Sequence, residues 1–247
     1  MNTILSFFQP SSIPVYPPYY EISDKNGKLV GCLSGTHHEL APNTRFEPAP
    51  AMQKCLTQST TLLVEADKEA IKKIVRRSLL QEGFSARSID ESFREAERKE
   101  NSMDIEWEKR AKLLGKPIKG LESPINALNA AIKIAQENEI TPEKERAQCS
   151  QWMNSFLIGY PVKTKDYFQH CFIDKDRTIK EFIVRNEVMA SGIDHSIRTR
   201  QLPFIAVGLG HCLGDRGVPQ LLRERYGWNV REIDPEPSSF VHTSTKR

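Results

Sequence analysis

Pro203 to Gly217, PFIAVGLGHCLGDRG, is the stretch whose reading decides the fold. Phe204 to Val207 is a short apolar, β-favouring run with a Gly-rich turn behind it, and a helical pattern follows through Leu221, Leu222 and Arg225. Strand, turn and helix in that order deliver His211 to the carboxyl end of a strand. Gly208, Gly210 and Gly214 open backbone conformations that other residues disfavour, so the imidazole is expected in a tight turn. A strand-to-helix turn with an incidental histidine is the plainer alternative.

The same arrangement stands near the start of the chain. Lys28 to Ser34, KLVGCLS, reads as a strand and ends in Gly35-Thr36-His37-His38, so Gly-x-x-His follows two strands. Two further strand candidates end in carboxylates, TLLVE at Glu65 and PIKGLE at Glu122, and each runs directly into a helix start. In an open parallel sheet the carboxyl ends of the strands line one edge, where ligands bind. His38, Glu65, Glu122 and His211 are therefore expected to converge there.

Five separated blocks carry a resemblance. They are the N-terminal hairpin with GTHH, the strand ending in Glu65-Ala66-Asp67, GLES at Gly120 to Ser123, VRNEVMA at Val184 to Ala190, and VGLGHCLGDRGVPQLLRERYGWNV from Val207. From about Gly27 to Glu232 the chain resembles the TraB/GumN family, which includes the Tiki proteins. The resemblance implies an α/β fold: a mixed central sheet from two half-sheets, with flanking helices and a helical insertion. It also implies a metal-dependent hydrolase, the Tiki branch acting as a protease on the amino-terminal regions of peptides. The family signature of two Gly-x-x-His motifs is matched at Gly35 to His38 and Gly208 to His211. His37 and Glu39 depart from it, standing where the family is usually apolar.

Length and composition bound the rest. A chain of 247 residues fits one α/β domain with a sizeable core and room for an insertion. A formal charge of +3 with 27% charged residues is nearly balanced and gives no sign of a nucleic-acid surface. The cysteines, Cys32, Cys55, Cys149, Cys171 and Cys212, are odd in number and include no CxxC pair. Neither a zinc knuckle nor a disulfide scaffold is indicated, and reduced, partly buried thiols are expected. Cys212 adjoins His211 and is a ligand, a nucleophile or a plain core thiol. The apolar patch ILSFF is too short for a signal peptide and no basic residue precedes it, and no membrane span is present. A cytoplasmic protein is expected, or one exported by a signal-peptide-independent route.

In domain terms, residues 1–18 are expected to be a flexible segment, 19–234 one domain with a helical insertion at about 68–115, and 235–247 a disordered tail. Tyr19 to Ser23, the turn at Asn26-Gly27 and Lys28 to Ser34 read as a β-hairpin. A helix from Ala51 to Gln58 and the strand Thr61 to Glu65 follow. Asp67 is an N-cap candidate, and beside a helix N-terminus Glu65 is expected to be ionised, as a ligand, a base or a salt-bridging residue. Lys68 to Leu114 reads as amphipathic helices with solvated charged faces, interrupted at Gly83 and at Asn101-Ser102, and placed as a lid over the strand ends.

Ser123-Pro124 opens a helix from Ile125 to Glu137 just beyond Glu122. Pro142 to Leu157 reads as another helix, and Tyr160 to Phe172 as an aromatic stretch in which His170 is structural. Thr178 to Thr199 reads as a helix with Phe182, Met189, Ala190, Ile193 and Ile197 on one face, Asn186 inside that stripe and His195 off it, facing solvent. A helix from Asp215 to Tyr226 and a strand from Trp228 to Ile233 end the pattern.

The expected chemistry is a single divalent metal held by His38 and His211 with Glu65 or Glu122. These N and O donors suit Zn, Mn, Co or Fe alike. The remaining carboxylate would act as base, and Arg185 with Asn186 would steady an oxyanion on a peptide or small-molecule substrate. Two other readings stay open. One is a catalytically silent relative that binds a peptide, haem or metal. The other is a phosphate- or nucleotide-binding module, for which Gly208, Gly210 and Gly214 give GxGxxxG, one residue off the dinucleotide fingerprint.

Overall fold

The computed structural model describes residues 17–36, 46, 48–99, 102–137 and 175–233. The strands are β1 (Tyr19–Ser23), β2 (Leu29–Thr36), β3 (Thr61–Ala66), β4 (Ile118–Glu122), β5 (Pro203–Gly208) and β6 (Asn229–Ile233). They form one sheet in the order β4-β3-β5-β2-β1-β6. The neighbours from β4 to β2 are parallel, whereas β1 runs antiparallel to both β2 and β6. The fold class is the mixed α/β arrangement expected, with the two halves joined into one sheet. The hairpin turn lies where Asn-Gly predicts it: Asp24 Oδ1 accepts from the Asn26 and Lys28 amides, and Gly27 takes a φ of 80°.

β5 is central, and all six of its residues are buried, as both faces of a parallel strand must be. Alternation sends Phe204 and Ala206 to one face, with Cys32, Leu62 and Val64. There α1 (Pro50–Gln58) and α4 (Met103–Leu113) contribute Met52, Leu56 and Trp107. Ile205 and Val207 face the other way, with Leu33 and Leu63, against Met189, Ala190 and Ile193 of α6 (Lys175–Arg198) and Leu221 and Leu222 of α7 (Val218–Glu224). The remaining helices are α2 (Lys68–Gln81), α3 (Ala86–Lys99) and α5 (Pro124–Glu137).

Three expectations need correction. First, residues 68–113 do not act together as a lid. Met103, Trp107 and Ala111 recur every four residues and are buried in the core, where the Trp107 ring lies 4.6 Å from Phe204 and 5.4 Å from Phe46. α4 is thus a core helix, while α2 buries none of its residues. Second, Cys32 and Cys55 are joined as a disulfide. They are far apart in sequence, and the packing of α1 on β2 brings them together, which spacing alone could not reveal. Third, the last helix starts at Val218 because a 3-10 turn, Leu209–Cys212, intervenes and Gly214 adopts a φ of 77°. Of the three glycines expected to relax the turn, Gly208 is extended, with a φ of −52°.

Pro142 to Leu157, Tyr160 to Phe172 with His170, the two termini, and His37, His38 and Glu39 all lie outside the described residues. Among the described residues no helix is long and apolar enough to cross a membrane.

Candidate functional site

The carboxyl ends of β2, β5, β3 and β4 form a level row. Thr36 pairs with Gly208, Val64 with Ala206, and Ala66 with Glu122. Gly120 allows β4 to approach closely, because a Cβ there would lie 2.7 Å from the Asp67 backbone nitrogen. Asp67 itself caps α2 by accepting from the Glu69 and Ala70 amides, and Ser123 Oγ accepts from the Asn126 amide beside Pro124. These caps fix where each strand stops and hence where Glu65 and Glu122 stand.

Alternation along β3 places Glu65 on the face of Leu63, beneath α6. Arg185 of α6 bridges the two carboxylates. Its Nε donates to both oxygens of Glu122, at 2.9 and 3.1 Å, and its Nη2 donates to Glu65 Oε2 at 2.9 Å. The other Glu65 oxygen accepts from the Gly208 amide. Glu65 is therefore held by a guanidinium and the end of β5, while Asp67 serves the N-terminus of α2. All three side chains are mostly buried, with 4% of the Glu122 side chain exposed.

One residue on, Asn186 lies in the buried stripe of α6 and both ends of its amide are engaged. Nδ2 donates to the Arg216 carbonyl at 2.8 Å, so Oδ1 is the end presented to His211 Nδ1, 2.5 Å away. His211 sits in the 3-10 turn, 2% exposed, with the Phe182 ring 4.6 Å from its own. Because Oδ1 only accepts, Nδ1 carries a hydrogen and Nε2 is the ring nitrogen on the Glu65 side. Nε2 lies 3.7 Å from Glu65 Oε2.

The charges follow from these contacts. Burial pushes the Glu122 carboxyl above its ordinary range against the opposing pull of Arg185. Burial also works against the Arg185 charge, but Glu65 and Glu122 outweigh it and raise its pKa. Burial pushes the Cys212 thiol far up, and its side chain packs in the core with Val207 and Leu221. A protonated core thiol is neither a nucleophile nor a ready metal ligand.

Glu65, Glu122, Arg185, Asn186 and His211 are thus brought together, and His38 lies outside the described residues. His195 is exposed on the far part of α6, as its position off the stripe predicts. Asp104, in the first turn of α4, was hidden by the reading of that region as solvated. It is 6% exposed and accepts from Thr36 Oγ1 at 2.6 Å, at the end of β2. The signal available in the sequence was its place one residue after Met103 in a four-residue apolar repeat.

Among the described residues no group of three His, Cys, Asp or Glu side chains is placed to hold a metal ion. Two donor atoms, His211 Nε2 and Glu65 Oε2, have the spacing of a shared ion, and the same Oε2 accepts from Arg185 Nη2. A nitrogen and an oxygen each about 2.0–2.2 Å from a tetrahedral ion stand roughly 3.3–3.6 Å apart, close to the 3.7 Å between His211 Nε2 and Glu65 Oε2. The bond from Asn186 to the far ring nitrogen is the support that metal-binding histidines generally have.

The pattern of the TraB/PrgY/gumN family matches residues 82–232, more than half of the chain. The chain belongs to that family. The family match takes in Glu122, Arg185, Asn186 and His211, while Gly35 to His38 and Glu65 precede the matched residues. No curated protein and no solved structure matches the chain.

Proposed function

We propose that this member of the TraB/PrgY/gumN family is a metal-dependent hydrolase acting on peptides or small amide- or ester-containing molecules. The observation that carries the reading is the line Asn186–His211–Glu65, in which the imidazole is fixed with Nε2 turned to a carboxylate oxygen 3.7 Å away. With the imidazole neutral, its Nε2 lone pair and the carboxylate would be stabilised by a cation between them. His38 is the third donor of the proposal. It follows Thr36 by two residues, a reach of at most about 7 Å, and Thr36 pairs with Gly208.

Zn, Mn, Co or Fe bound by His38, His211 and Glu65 would supply polarisation of the scissile carbonyl and a lowered pKa for water. Glu122, with its raised pKa, is the residue to take a proton from water and return it to the leaving group. Arg185 carries a permanent charge beside it for a developing oxyanion. Asn186 enters as a positioning residue, since both ends of its amide are already bonded. Glu122 and Arg185 line a cleft of about 330 Å³ between α5 and α6, with Asn126, Asn129, Val184 and Val188, and substrate is placed there.

The test is elemental analysis of protein purified without chelators or a metal column, with His38→Ala and His211→Ala in parallel, followed by a peptide and ester library. Near-stoichiometric metal lost in both variants, with hydrolysis lost alongside, is expected. A protein that binds no added Zn, Mn, Co or Fe overturns the reading.

A second reading is favoured by one observation: Arg185 occupies Glu122 and one oxygen of Glu65. A site so neutralised suits a silent protein that sequesters metal, haem or a peptide. Metal bound without any hydrolysis selects it. The Cys32–Cys55 disulfide favours an oxidising compartment.

A further inference from the structure

We propose that the outer face of α2 docks on an anionic lipid surface. The helix holds five cations and one acid, and none of its residues is buried. Three of the cations are answered: Lys68 by Glu108, Lys72 by Glu69, and Arg76 by Asp90. Lys73 and Arg77, one turn apart, are exposed and have no ion-pair partner among the described residues. Glu69, the single acid of the helix, is at its N-terminal end and tied to Lys72.

The stripe does not continue as a solvated face should. Leu80 follows Arg77 on the same side of the helix and is 41% exposed, and Phe84, in the turn to α3, is 54% exposed. Lys73, Arg76, Arg77, Leu80 and Gln81 line a shallow groove of about 360 Å³. Two cations with no ion-pair partner among the described residues thus precede two exposed apolar side chains along the helix and its turn. That is the order in which a headgroup layer and the acyl boundary beneath it would be met. A nucleic acid or other soluble polyanion would use the cations and leave Leu80 and Phe84 in water. The proposal does not depend on metal binding or hydrolysis.

The experiment is co-sedimentation of the full chain with vesicles of phosphatidylcholine alone and with about 30 mol % phosphatidylserine, where each basic side chain adds attraction. The variants are Lys73→Glu/Arg77→Glu and Leu80→Ser/Phe84→Ser, with thermal melts to check that the exposed positions leave the fold intact. The wild type should bind the anionic vesicles at least about tenfold more tightly than the neutral ones and release as salt rises. Both variants should lose that binding by a similar factor. Wild-type protein that binds neither vesicle overturns the proposal. So does heparin binding that Leu80→Ser/Phe84→Ser leaves intact while vesicle binding is absent, which would mark a polyanion site instead.

Discussion

Asn186 Oδ1 lies 2.5 Å from His211 Nδ1, and the other end of the same amide donates to the Arg216 carbonyl. That pair of bonds decides which nitrogen of His211 faces Glu65. It also ties the 3-10 turn of the Gly-x-x-His motif to α6, so the orientation of the imidazole is set by a helix some 25 residues away in sequence.

Asn186→Leu keeps the volume and removes the acceptor. Zinc affinity of chelator-treated protein should fall by about 10–100-fold, the usual effect of losing such a support. Stability should fall by about 1–3 kcal/mol, because the Arg216 carbonyl and the buried His211 Nδ1 lose their partners. Isothermal titration and urea denaturation read the two effects separately, and unchanged zinc affinity would remove Asn186 from the site.

Arg185→Ala leaves Glu65 and Glu122 buried without their shared counter-charge. A loss of about 3–5 kcal/mol is expected, as when one partner of a buried ion pair is removed. Adding Glu122→Gln to that variant should recover part of it. If the double variant is no more stable than Arg185→Ala in urea, the guanidinium acts through packing and not through charge.

Glu122 predicts a pH dependence of definite sign. Its folded-state pKa lies above the ordinary 4.5, so the folded protein holds that proton more tightly than the unfolded chain. Its contribution to stability is therefore complete below 4.5 and declines as pH rises through the raised value. Denaturation midpoints of wild type and Glu122→Gln between about pH 4 and 7 should show the extra downward slope in wild type only. Parallel profiles would contradict the assignment.

The Cys32–Cys55 disulfide closes a segment of 23 residues that includes Gly35 to His38. Reduction should lower stability by about 2–4 kcal/mol in the chain-entropy account. Mass spectrometry of a non-reduced digest should show the Cys32 and Cys55 peptides joined, and two separate thiol peptides would show the pair reduced.

Gly120→Ala tests the close approach beneath Glu122. The added Cβ would press on the Asp67 backbone nitrogen at 2.7 Å, which cannot rotate away. A cost of about 1–3 kcal/mol or more is expected from this overpacking, whereas Gly83→Leu, with open space but a φ of 92°, tests strain alone. Thermal melts that show no change for Gly120→Ala would mean that β4 can shift away from β3.

The sequence by itself determined the strands, the hairpin turn, the caps at Asp67 and Ser123, and the stripe on α6 with Asn186 inside it. Each is a local matter of alternation, helical period or turn chemistry, and so is written in neighbouring residues. It also placed Glu65, Glu122 and His211 at strand ends, and the family match agrees with the resemblance carried by its separated motifs. Only the tertiary structure decided that α4 is core and α2 is surface, since both are charged and helical and differ in what they pack against. Only it joined Cys32 to Cys55, engaged both ends of the Asn186 amide, set Arg185 between Glu65 and Glu122, and brought Asp104 to Thr36. Those are contacts between residues far apart in the chain, and their geometry is fixed by sheet register and helix packing, which no local pattern encodes.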